Sequence, residues 1–90
     1  MMKSILFTTV LMTAAGTVFA GPKCTDGDQS NWLPELAMQQ KILDQGYSIK
    51  KFKVTSGGCY EIYGYDQERR RVEIYYHPET GDVVKAKLDD

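Results

Sequence analysis

Two glutamates, Glu61 and Glu73, each sit in a stretch where apolar and polar residues alternate. Alternation can bring both to one face of a sheet, where paired carboxyls are able to do acid–base work. It also offers Arg71 and Lys85 as cross-strand partners, so the pair reads first as part of a solvated ionic face. His77 is the single histidine. A histidine-based metal cluster is therefore excluded, and a Cys–His nucleophile would need Cys24 or Cys59, the only two cysteines, to stay free. No serine triad, glycine-rich phosphate loop or metal-ligand spacing is present. No catalytic residue, metal or cofactor is assigned, and the chain is not expected to be an enzyme.

Recognition is the better use of the chemistry that remains. Arg69, Arg70 and Arg71 lie close in sequence to Tyr63, Tyr65 and Tyr75, and rings interleaved with cations suit single-stranded nucleic acid. Glu61, Glu68 and Glu73 interrupt that patch, and the 90-residue chain carries a formal charge of −1. The balance argues against nucleic acid. Tyrosine and arginine are enriched where proteins bind proteins. Tyr63, Tyr65, Arg71, Glu73, Tyr75 and His77 are accordingly the candidate binding residues, against the plainer reading that the tyrosines only satisfy strand propensity.

The elements that must position them follow a leader. Met1 to Ser4 form a short basic start, an apolar run extends from Ile5 to Ala15, and Val18-Phe19-Ala20 closes it. This is the layout of a secretory signal peptide, cleaved after Ala20; the apolar core is shorter than the ~20 residues a bilayer requires, so no stable membrane insertion is expected once it is gone. Lys23 before Cys24 argues against a lipoprotein. The remainder would hold 90 − 20 = 70 residues with a net charge of −2, in the periplasm or secreted. So small a domain buries only about 60% of the surface its unfolded chain exposes. In an oxidising compartment Cys24 and Cys59 are then read as one stabilising disulfide, tying an N-terminal arm over residues 21–31 to the rest.

Residues 32–90 form the folded domain. Ser30 or Asn31 is expected to cap a helix from Leu33 to Gln45, with Pro34 in its first turn and Gly46 at its end. At 100° per residue Leu33, Leu36, Ala37 and Leu43 share a side, and Met38 and Ile42 lie off it. The period then becomes alternating. Tyr47 to Val54 changes parity between Ile49 and Phe52, which predicts a bulge near Lys50-Lys51. After a turn at Ser56-Gly57-Gly58, Tyr60 and Ile62 oppose Glu61, Tyr63 and Tyr65. After Asp66 to Arg69, Val72, Ile74 and Tyr76 oppose Arg71, Glu73, Tyr75 and His77. A last strand follows Pro78-Glu79-Thr80-Gly81. The fold class is α+β, one helix on a three- to four-stranded antiparallel sheet in two layers. The expected core is Leu36, Ala37, Leu43, Tyr60, Ile62, Val72, Ile74, Tyr76 and Val84.

The order of these pieces resembles the PepSY domain of small secreted bacterial proteins. What carries the resemblance, from about Trp32 to Val84, is a helix ending in Gly46-Tyr47, the strand Gly58-Cys59-Tyr60-Glu61-Ile62, the strand Val72-Glu73-Ile74-Tyr75, and Pro78-x-Thr80-Gly81-x-Val83. Two departures stand out. Family members often carry glycine in the turn that Asp66 to Arg70 fills here, and an acidic residue where this chain has His77. The resemblance implies the same helix-on-sheet fold and an exported, non-catalytic binding module. Since PepSY domains occur in propeptides of thermolysin-like secreted peptidases, it also implies a protein partner of the peptidase kind, met through the open sheet face or an edge strand. The alternative is a small periplasmic sensor or carrier of a ligand or metal ion.

Overall fold

The computed structural model describes residues 21–89; the expected leader, residues 1–20, lies outside the described residues. One helix, α1 (Glu35–Asp44), precedes four strands, β1 (Ser48–Val54), β2 (Tyr60–Tyr65), β3 (Arg71–Tyr76) and β4 (Val83–Asp89). The strands pair antiparallel in chain order, β1-β2-β3-β4, as consecutive strands joined by short turns do. The helix covers one sheet face. Tyr60, Ile62, Val72, Ile74 and Tyr76 come from that inner face, and with Met38 and Ile42 they make the core. The expected bulge is present: Ile49 pairs with Gly64 and Lys51 with Tyr63, leaving Lys50 as the extra residue. Its effect is to return Phe52 to the inner face, where its ring lies 5.0 Å from that of Tyr60.

The helix presents a different side from the one its leucines suggest. Met38 and Ile42 are fully buried, whereas Leu36 is 81% and Leu43 47% exposed, and Ala37 is exposed as well. The cause is where the helix begins. The Leu33 N–H donates to the Pro78 carbonyl at 2.8 Å, and the Tyr60 hydroxyl donates to the Leu33 carbonyl at 2.6 Å. Leu33 is thereby tied to the sheet in a non-helical conformation, and its helical phase has no meaning. Met38 and Ile42, stacked at i and i+4, then face the sheet, and Leu36, Ala37 and Leu43 face away from it. Pro34, not Ser30 or Asn31, is the N-cap, and it makes no side-chain capping bond; Ser30 instead bonds Asp28 through both its N–H and its hydroxyl. Gly46 ends the helix at φ 98°, as expected.

Val84 is the other departure from the expected core. A second irregularity, where Tyr75 pairs with Lys85 but Tyr76 with Val83, makes Val84 the extra residue, and it is 44% exposed. β4 is an edge strand beyond the reach of a ten-residue helix, so Val83 and Leu88 are also more than half exposed.

Candidate binding face

The outer face is built by the residues that alternate with the core. Strand register arranges them in rows across the sheet. Lys51, Tyr63, Glu73 and Lys87 form one row, and Lys53, Glu61, Tyr75 and Lys85 the next. Tyr65 and Arg71 pair in a third, at the far end. Of the six candidates, Tyr63, Tyr65, Arg71, Glu73 and Tyr75 thus share a face. His77 does not join them. It follows β3 at the opposite end from Arg71, and its Nδ1 accepts the Glu79 N–H at 3.2 Å within the turn to β4.

The N-terminal arm divides the face. Cys24 and Cys59 are joined in a disulfide with their Cα atoms 5.1 Å apart, and the Cys24 N–H donates to the Gly57 carbonyl at 2.8 Å. Cys59 has the outward parity of Glu61, so the bridge draws the arm over the outer side. Gly21 lies on Tyr75 so closely that an added Cβ would come within 2.6 Å of its ring. Tyr75 is consequently only 4% exposed. It faces outward as expected, but it is the floor beneath the arm rather than an accessible contact. Tyr63, 39% exposed, is the ring left open.

The two carboxyls meet, and not with the partners the alternation suggested. Lys53 stands 3.9 Å from Glu61, and Lys87 3.8 Å from Glu73, in place of Arg71 and Lys85. Glu61 is 2% exposed, and its Oε2 accepts no hydrogen bond from a neighbouring N–H or O–H. Burial, then the Glu73 carboxyl beside it, push the Glu61 carboxyl above the ordinary glutamate range, against a smaller opposing effect of the tyrosine hydroxyls. The Glu61 carboxyl beside it, then Tyr75 at 2.8 Å, Tyr63 at 3.0 Å and Lys87, outweigh burial and hold the Glu73 carboxyl down to about 2. The Tyr63 hydroxyl is pushed up to about 12, chiefly by its bond to Glu73, and burial followed by the same carboxylate raises Tyr75. The pair is a knot within the sheet face, with both tyrosine hydroxyls donating to one oxygen. Beside it a groove of about 650 Å³ is lined by Lys50, Tyr63, Tyr65, Arg71, Glu73 and Lys87, among others.

Among the described residues no three histidine, cysteine or acidic side chains come together to hold a metal ion. No described helix is long and apolar enough to cross a membrane. A family model described as the peptidase propeptide and YPEB domain matches residues 4–87. The chain belongs to this family. No curated protein and no solved structure matches it. As a PepSY domain it is a propeptide-type fold whose outer sheet face is covered only in part, by the N-terminal arm. The residues missed as part of that face are Lys51, Lys53 and Lys87. The bulge at Lys50 was the signal for the first two, because it sends Lys51 and Lys53 outward together.

Proposed function

We propose that this PepSY domain is an exported, non-catalytic module that binds a protein, a secreted peptidase above all, and modulates it through the outer sheet face. The observation that carries the reading is that the helix covers only one side of the sheet. The arm covers only the Tyr75 end of the other, leaving Tyr63, Tyr65 and the flanking cations accessible. Family membership supplies the peptidase connection. The acidic residues at the centre are engaged by Tyr63, Tyr75, Lys53 and Lys87, an arrangement suited to shaping a surface. Both sheet edges, β1 and β4, carry a bulge and lysines, devices that discourage strand pairing, so the outer face is favoured over an edge.

The test is inhibition of a thermolysin-like secreted peptidase by the purified domain, compared with Tyr63→Ala and a Tyr63→Ala/Lys87→Glu double variant. Slower peptide hydrolysis with the native domain, relieved in both variants while melting curves show each still folded at the assay temperature, is the expected result. Equal inhibition by all three would remove the outer face from the mechanism, and no effect on any secreted peptidase would remove the peptidase as partner.

A further inference from the structure

The charge of this chain is not evenly spread. The sequence as a whole is slightly acidic, yet the outer face carries Lys51, Lys53, Lys85, Lys87 and Arg71 at outward register positions. Against them stand Glu61, which is buried, and Glu73. The acidic excess lies elsewhere, on the arm, the helix and the turns, at Asp26, Asp28, Glu35, Asp44, Glu79 and Asp82. Among the described residues Lys50, Lys51 and Lys85 have no ion-pair partner. Three cations without an ion-pair partner leave this side of a small sheet with an excess of positive charge, which attracts an anionic partner.

The register says what shape of anion fits. The accessible row is Lys51, Tyr63, Glu73, Lys87, a cation at each end with a half-open ring and a carboxylate between. Three strand spacings separate its ends, ~14 Å. In an extended peptide, residues four apart point the same way and are separated by about 13–14 Å. We infer that the outer face takes an extended acidic segment of a partner protein running across the strands, with carboxylates four residues apart at Lys51 and Lys87 and an uncharged side chain between them on Tyr63. Glu73, held in the middle of the row, repels a charge at that central place. This disfavours polyanions with a close, unbroken charge repeat, such as a nucleic-acid backbone. The groove beside the row, where Lys50 and Arg71 converge, gives the segment room to continue.

This inference rests on the reading of the chain as a protein-binding module, and the test separates the two. Fluorescence anisotropy would follow the disulfide-bonded protein binding to a labelled eight-residue peptide with glutamates four apart. The comparisons are the same peptide with glutamines, an all-glutamate peptide, single-stranded DNA and anionic vesicles. The expected order is the spaced-glutamate peptide first, with binding weakened by salt and by about tenfold or more in Lys51→Glu and Lys51→Glu/Lys87→Glu. Lys41→Glu, on the helix, is expected to bind normally, and melting curves confirm that each variant is folded. Equal affinity for the glutamine peptide would overturn the acidic assignment and leave the binding module standing. Tighter binding of DNA, vesicles or the all-glutamate peptide would overturn the spaced-carboxylate assignment. Undiminished binding in both lysine variants would overturn the face. Failure of every peptide to bind, alongside failure of the domain to affect any peptidase, would overturn both readings.

Discussion

Replacing Cys24 and Cys59 by alanine should remove most of the stability of this domain. The bridge closes a segment of 35 positions. In the chain-entropy model that closure is worth roughly 4 kcal/mol at 25 °C. A domain of this length has only about 4–10 kcal/mol in total, at 0.05–0.15 kcal/mol per residue, so the loss is decisive rather than incremental. The structure adds a second component. Without the bridge the arm keeps only hydrogen bonds at Cys24 and Thr25, the two N–H bonds to Gly57 and the Thr25 hydroxyl bond to Gly58, to hold Gly21 on Tyr75, so a buried tyrosine becomes more hydrated. Urea unfolding of the oxidised protein, the reduced protein and the two single alanine variants measures this. With a slope near 1–1.5 kcal/mol/M, the midpoint should fall by about 3–4 M in all three perturbed forms. A loss below about 1 kcal/mol, or single variants that differ from each other by more than that, would refute the view that one loop closure and one pinned arm are involved.

The carboxyl pair makes stability depend on pH in a defined direction. Glu61 is raised by burial and Glu73, so its contribution is complete below the ordinary glutamate pKa and is lost as pH rises through its folded value. Glu73 is depressed to about 2, so its contribution is present above the ordinary value and is lost as pH falls toward 2. Melting curves across this range should show Glu61→Gln flattening the decline at higher pH and leaving the acid limb in place; identical profiles would mean the pair does not share a proton. Ile74→Ala and Tyr75→Ala should each cost ~2–5 kcal/mol, since both side chains are buried on opposite sides of one strand, while Tyr63→Ala should cost about 1 kcal/mol or less. Comparable losses for Tyr63 and Tyr75 in thermal melts would contradict the arm's position. Arg69 has φ 69° in the turn between β2 and β3, a conformation that favours glycine. Arg69→Gly should therefore stabilise by about 0.5–1 kcal/mol, and calorimetry showing a loss would mean that its side chain, not its backbone, matters there.

Local pattern alone determined the strands of this protein. Tyr60 to Tyr65 and Arg71 to Tyr76 alternate without interruption, so both their extent and their inward residues could be read directly, as could the bulge where Ile49 and Phe52 break parity. The cysteine pair and the class of fold were equally legible. The helix was not, because two sides of it carry apolar residues and periodicity cannot choose between them. The choice fell to two hydrogen bonds, from Leu33 to Pro78 and from Tyr60 to Leu33, that join segments far apart in the chain. Accessibility within the outer face was hidden for the same reason. Alternation sends Tyr63 and Tyr75 to one side, but only the disulfide and the path of Gly21 leave the first open and cover the second. Which face a residue takes is a property of its own strand; what lies over that face is a contact with distant chain, and only tertiary structure decides it.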